Sequence, residues 1–211
     1  MKRHVDREIA YPALGADLVR QASDVTRTHR ESANGHRGSV VWLTGQPSSG
    51  KSTIANATER TLHASGIQTA ILDGDNMRLG LCADLGFSEA DRDENVRRVA
   101  ETARLFLQNG VVVIVALVSP HRQARDHAKQ LVGPADFLEI YCCCESAVCE
   151  QRDPKGHYAR AKRGEIAGFT GVSSRYEAPL APSLVLNTGM LPADESARLL
   201  TELILAKCAT H

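Results

Sequence analysis

The sequence predicts an α/β fold, a three-layer doubly wound parallel sheet, and three observations carry that expectation. From Ser39 onward, short apolar runs alternate with amphipathic segments of helical length, the pattern of a parallel sheet covered on both faces. The first apolar run is followed at once by Gly45-x-x-x-x-Gly50-Lys51-Ser52 and then by a helical stretch. Apolar runs such as VVVIVALV at 111–118 are continuous rather than alternating, as fully buried strands are.

Taken in order, strands are expected over 39–44, 68–73, 111–118, 136–142 and 183–187. Helices are expected between and after them, over 51–65, 92–108, 120–131, 145–151 and 192–207. In NVRRVAETARLFLQNG, Val96, Val99, Ala103, Phe106 and Leu107 share one face while Arg97, Arg98, Glu101 and Arg104 fall largely elsewhere, and Gly110 stops the helix. Residues 1–35 carry mixed charge and weak periodicity, and read as a partly ordered arm with a short helix somewhere in 15–30, ahead of a single domain over 36–211. Residues 152–182 break the alternation. They are basic, rich in Gly and Pro and too long for an ordinary connection, which suits a lid over a site.

Composition narrows the partners. Lysine plus arginine number 25 and aspartate plus glutamate 25, so no global field favours nucleic acid or an anionic membrane, and any anionic ligand must be held by local arrangement. No apolar run approaches the roughly 20 residues of a membrane span, and the N-terminus has charges where a signal peptide needs an apolar core, so a cytoplasmic location is expected. Six cysteines lack any CxxC pairing; Cys142, Cys143 and Cys144 lie in the apolar segment FLEIYCCC and read as small core hydrophobes.

The loop Gly45, Gln46, Pro47, Ser48, Ser49, Gly50, Lys51, Ser52, Thr53 carries the chemistry. Its glycines let successive backbone N–H groups turn onto phosphates at the head of a helix, where the dipole favours anions. Lys51 is placed to reach the terminal phosphates, and the Ser52 hydroxyl to ligate Mg²⁺. A nucleotide is therefore expected, but GTPases, ATPases and small kinases share such a loop. At the end of the second strand, Asp73-Gly74-Asp75 puts two carboxylates at the crevice edge, where one could join the metal shell or accept a proton, or the turn could simply be an Asx cap. Strand 111–118 ends in Leu-Val-Ser-Pro without an acidic residue, and no Asn-Lys-x-Asp segment is present, which disfavours a GTPase switch. Arg78, Arg92, Lys155, Arg160, Lys162 and Arg163, with Phe87 and Phe169, suggest charge clamps and flat stacking surfaces for a second, nucleotide-like ligand.

These residues resemble the adenylylsulfate kinase family from about Val25 to the C-terminus. The carriers are HRGSVVWLTGQPSSGKST (36–53), LDGDNMRLGLCADLGFSEADRDENVRRVAE (72–101), LVSPHRQAR (117–125), CEQRDPKGHYARAKRGEIAGFTGVSSRYEAP (149–179) and LVLNT (184–188). The resemblance implies a phosphate-loop nucleotide kinase architecture with a lid over about 153–175. It implies transfer of the ATP γ-phosphate to the ribose 3′-hydroxyl of adenosine 5′-phosphosulfate. Asp73, Arg78, Phe87, Arg92 and Asn95 match the family's adenylylsulfate contacts, with Phe169 closing the other face of the adenine. Asp75 matches the acidic residue beside Mg²⁺ and the 3′-hydroxyl, with Ser52 as the other metal ligand. Ser119 matches a serine of the substrate side, for which direct transfer is simpler chemistry than a phosphoserine relay. Lys155 matches the substrate-side lysine, and Arg152 a residue beside the ATP adenine.

The loop departs from the family's usual Gly-Leu-Ser-Gly-Ser-Gly-Lys-Ser. Pro47 lacks an N–H, and Ser48 replaces a glycine and would be strained at positive φ. A homodimer and association with an ATP sulfurylase are the partners the resemblance implies. The other readings left open are a different small-molecule kinase on the same scaffold and a catalytically silent nucleotide-binding partner of a sulfurylase.

Overall fold

The computed structural model describes residues 21, 23–166 and 168–209. Much of the expected arm over 1–35, and residues 15–20 and 22 of the window 15–30 in which a helix is expected, lie outside them; the first described element is a helix, α1, at Arg27–Asn34. Thr26 caps it, its hydroxyl accepting from the His29 N–H. Arg27 of this helix donates to both oxygens of Asp136 (2.6 and 2.9 Å) and to the Gly38 carbonyl (3.1 Å), tying the helix to the amino end of the sheet.

Five strands form one parallel sheet: β1 (Ser39–Thr44), β2 (Thr69–Asp73), β3 (Val112–Ala116), β4 (Phe137–Cys143) and β5 (Leu184–Asn187), in the order β2-β3-β1-β4-β5. The central strand β1 pairs Val41 with Ile114 on one side and with Leu138 on the other, and all six of its residues are buried. Its period-2 side chains supply two separate cores. Val40 and Trp42 join Val113 and Val115 under α4 (Glu89–Leu107) and α5 (Arg122–Val132), through Val96, Val99, Ala103 and Ala128. Val41 and Leu43 join Ile114 and Ile140 under α2 (Lys51–Ala64) and α8 (Ala193–Cys208), through Ile54, Leu62, Leu200 and Ile204. The three-layer doubly wound arrangement is therefore the one the alternation predicts.

The differences from expectation are local. β3 ends at Ala116, freeing 117–120 to turn over the sheet edge. α4 starts at Glu89 rather than 92 because the Ser88 hydroxyl accepts from the Asp91 N–H (3.1 Å) and caps it. Two short helices were not expected: α3 (Gly74–Arg78), directly after β2, and α7 (His157–Lys162), inside the long insertion that follows α6 (Ser146–Arg152). α3 is too short for periodicity to reveal. α7 packs Tyr158 and Ala161 with Cys144, Cys149 and Phe169 in a third, smaller cluster. All six cysteines are free thiols, and all but Cys143 are buried, in keeping with their reading as hydrophobes. Burial pushes the Cys142 thiol up to about 12. Among the described residues no helix is long and apolar enough to cross a membrane.

Candidate active site

At the carboxyl end of β1 the chain turns through residues 45–50 and enters α2. Gly45 cannot carry a side chain there, because a Cβ would lie 2.6 Å from the Cys142 carbonyl oxygen of β4 and 2.7 Å from Ser49 Oγ. Ser48 has φ 61, so the strain expected of a serine in a left-handed position is present. Replacement by a β-branched residue, Ser48→Val, should add about 1–3 kcal/mol of backbone strain. A roughly 5- to 100-fold loss of ATP affinity by titration is expected, while Ser48→Gly keeps the affinity.

Lys51 folds back over this loop, donating to the carbonyls of Gly45 (2.9 Å) and Gln46 (2.7 Å) and to Ser49 Oγ (3.3 Å). Burial lowers its ammonium pKa to about 8, against the opposing pull of Asp73 and Asp75. Ser52 donates to Asp73 Oδ2 (2.6 Å), while Asp73 Oδ1 accepts from the Asp75 N–H (3.0 Å) and caps α3. The Asx cap and the approach to the phosphate loop are thus properties of one side chain. The carboxylate of Asp75, expected with Ser52 as a metal ligand, is paired with Lys155 from the insertion. Asp73 ends the strand facing α2, whereas Asp75 lies two residues on, in α3, facing the insertion.

On the far side lie the expected acceptor residues. The Arg78 guanidinium sits 4.4 Å from the centre of the Phe87 ring and donates to the Gly86 carbonyl (2.7 Å). Arg92 donates to the Phe87 carbonyl (3.0 Å), the Gly168 carbonyl (2.7 Å) and Thr170 Oγ1 (3.1 Å), bridging α4 and the insertion. Burial, and then the nearby Arg78, lower the Arg92 pKa from its usual value. Phe87 is 58% exposed, an open flat surface, whereas Phe169 is 8% exposed and packs edge-on against Tyr158, centroids 5.0 Å apart. The Asn95 side chain is buried at the cleft, and its Nδ2 has no hydrogen-bond partner among the described residues. A buried donor left unpaired at a cavity wall is costly unless a ligand completes it.

One cavity of about 830 Å³ spans both sides. Pro47, Ser48, Gly50, Lys51, Ser52 and Thr53 line one end; Arg78, Phe87, Arg92 and Asn95 line the other. Asp73, Asp75 and Ser119 also line it, as do Arg152, Lys155 and Phe169 of the insertion and the segment leading into it. Gly45, Gln46 and Ser49 do not line it. Arg152 donates to the Thr188 carbonyl (2.7 Å), near the entrance to α8. Of the expected basic group only Arg160 reaches the wall; Lys162 pairs with Glu150 and Arg163 with Glu165. Six lysines and arginines face three aspartates there, so the locally anion-seeking field exists despite zero net charge.

Sequence reading missed the frame behind Ser119. This residue has φ 37, and its hydroxyl donates to Thr44 Oγ1 (3.1 Å) while accepting from Trp42 Nε1 (3.1 Å). Arg125, 2% exposed, donates to the Ser119 carbonyl (2.6 Å), to the Glu177 carbonyl (2.7 Å) and to Glu139 Oε1 (2.7 Å). The spacing of Ser119 and Arg125 in LVSPHRQAR was the available signal, but nothing local to it says that the arginine points inward.

Comparison with known proteins adds an independent line. A family model described as adenylylsulphate kinase matches residues 37–187. An adenylyl-sulfate kinase of Bacillus velezensis is 48% identical over 188 residues, 89% of this chain and 95% of its own length. One of Geotalea uraniireducens is 50% identical over 182 residues, 86% of this chain and 88% of its own. Among solved structures, the Mycobacterium tuberculosis APS kinase CysC in complex with AMPPNP and APS superposes with a TM-score of 0.77. It is 45% identical, with 80% of this chain and 98% of that one covered.

Proposed function

The chain belongs to the adenylylsulphate kinase family, and from that premise we infer its reaction: ATP and adenosine 5′-phosphosulfate give ADP and 3′-phosphoadenosine 5′-phosphosulfate. The observation that carries the reading is the single cavity with a phosphate loop at one end and an arginine-flanked open phenylalanine at the other. An ATPase needs only the first; a kinase for a nucleotide acceptor needs both.

In this reading the loop amides and the α2 N-terminus hold the ATP phosphates, and Lys51 leaves its loop carbonyls to meet the developing charge. Ser52 and Asp73 offer a hydroxyl and a carboxylate oxygen beside that loop, hard donors that fit Mg²⁺. Bound with ATP, Mg²⁺ supplies neutralisation of phosphate charge. Arg152 flanks the ATP base. Phe87 stacks on the adenine of the acceptor, with Phe169 closing over it, and Arg78, Arg92, Asn95 and Lys155 take its polar and anionic groups.

The acceptor 3′-oxygen attacks the γ-phosphorus, the bond from that phosphorus to the β,γ-bridging oxygen breaks, and ADP leaves. The 3′-hydroxyl proton passes to the Asp75 carboxylate, which first exchanges its Lys155 partner for the substrate. Ser119 acts as part of the acceptor wall. Its hydroxyl is engaged by Thr44 and Trp42, which supports direct transfer over a covalent serine relay. A homodimer, contact with an ATP sulfurylase and a cytoplasmic location are further proposals that rest on the family resemblance.

An ADP-release assay with a panel of acceptors tests the function. Turnover is expected to need adenosine 5′-phosphosulfate and to fall steeply in Phe87→Ala. Release no faster than with ATP alone would sink the reading, and preference for an acceptor without adenine would point to another small-molecule kinase.

A further inference from the structure

The unusual Gln46-Pro47 pair does not line the cleft as a unit; it faces the insertion. Gln46 Oε1 accepts from Ser146 Oγ (3.0 Å) and lies 3.1 Å from where a Cβ on Gly171 would stand. The Pro47 carbonyl accepts from the Tyr158 hydroxyl (3.1 Å). Tyr158 is 1% exposed, so this bond forms where water does not compete. Its ring meets Phe169 edge-on at 79° with centroids 5.0 Å apart. Beyond Phe169, the Gly168 carbonyl and Thr170 Oγ1 are held by Arg92, whose Nε also grips the Phe87 carbonyl. A continuous set of contacts thus runs from the phosphate loop through Tyr158 to both phenylalanines of the acceptor side.

We propose that Tyr158 is a positioning residue that couples the two nucleotide sites, by linking the Pro47 carbonyl of the donor loop to the Phe169 segment that closes on the acceptor. The proposal rests on the two-nucleotide reading above. Its physical basis is that the peptide after Pro47 leads into the strained Ser48. Seating phosphates fixes that peptide plane, and with it the carbonyl that orients Tyr158. Ordering of residues 168–174 by one nucleotide then lowers the ordering cost met by the other, and linkage makes the effect reciprocal.

Calorimetric titration of the full chain with adenosine 5′-phosphosulfate, with and without a non-hydrolysable ATP analogue and Mg²⁺, measures the coupling. In the unsubstituted protein each nucleotide is expected to change the other's Kd about 5-fold or more. Tyr158→Phe keeps the ring and its packing on Phe169, and is expected to reduce the factor to within about 2-fold while each nucleotide alone binds nearly as before. In turnover it should raise KM for the acceptor at saturating ATP more than it lowers kcat, a split that general destabilisation would not produce. Undiminished coupling in Tyr158→Phe, or none in the unsubstituted protein, overturns the proposal. Failure of adenosine 5′-phosphosulfate to bind at all overturns the functional reading and the coupling together. A readout without any variant is hydrogen exchange: the ATP analogue alone should slow exchange at 168–174, and no change there also overturns the proposal.

Discussion

Lys51→Met is expected to lower kcat by about 10³-fold, the scale of losing one preorganised donor to developing phosphoryl charge, while leaving the melting temperature near pH 7 unchanged or higher. Both effects follow from where the ammonium lies. It is buried among loop carbonyls with its pKa lowered to about 8, so its charge is a burden on the empty fold. The unfolded chain holds that proton up to about 10.5. Below pH 8 both states are protonated and the burden is fully present; between 8 and 10.5 the folded state gives up the proton first, and stability rises with pH. Methionine removes the burden together with the function. ATP phosphates restore the ammonium, so nucleotide binding at about pH 8.5 should take up protons. Calorimetry in buffers of different ionisation enthalpy would detect that uptake in the unsubstituted protein and not in Lys51→Met. Equal uptake in both would move the titration to another group, and full activity would end the assignment.

Asp75→Asn is expected to lower kcat by at least about 10²-fold with ATP binding preserved, the usual scale for a positioned base. Asparagine keeps the shape and can still accept from Lys155, but it cannot take the 3′-hydroxyl proton. Asp73→Asn is the informative contrast. Asp73 accepts from Ser52 and caps α3, so its loss should weaken binding of Mg²⁺ with ATP first. Steady-state kinetics beside ATP titration separates them, and unchanged turnover in Asp75→Asn would remove it from the role of base.

The donor half was more legible in sequence than the acceptor half. Strand, glycine turn and helix lie consecutively in the chain, so residues 39–64 carry the phosphate loop and its two flanking elements locally. The opposite wall is assembled from α3, α4 and the turn before it, the segment after β3 and the insertion. Its single contacts are long-range: Arg92 to Gly168, Lys155 to Asp75, Tyr158 to Pro47. Residue type picked out Arg78, Arg92, Phe87 and Phe169, which line the cavity, but not that Asp73 rather than Asp75 meets Ser52. That choice depends on α3, a helix of five residues that no periodicity announces. The Ser48 strain was legible because the resemblance implies a glycine where this chain carries a side chain. The inward turn of Arg125 was not, since arginine is ordinarily a surface residue.

Arg125 joins three parts of the chain that are far apart in sequence: Glu139 on β4, the Ser119 turn and the carbonyl of Glu177 at the return of the insertion. A buried cation of this kind tolerates the loss of neither its countercharge nor its acceptors one at a time. Loss of Glu139 alone is therefore expected to cost more stability than replacement of Arg125 and Glu139 together by apolar residues, and the approach of Glu177 to α5 is set by the same guanidinium. The far end of the insertion is in this way moored to a residue in the core.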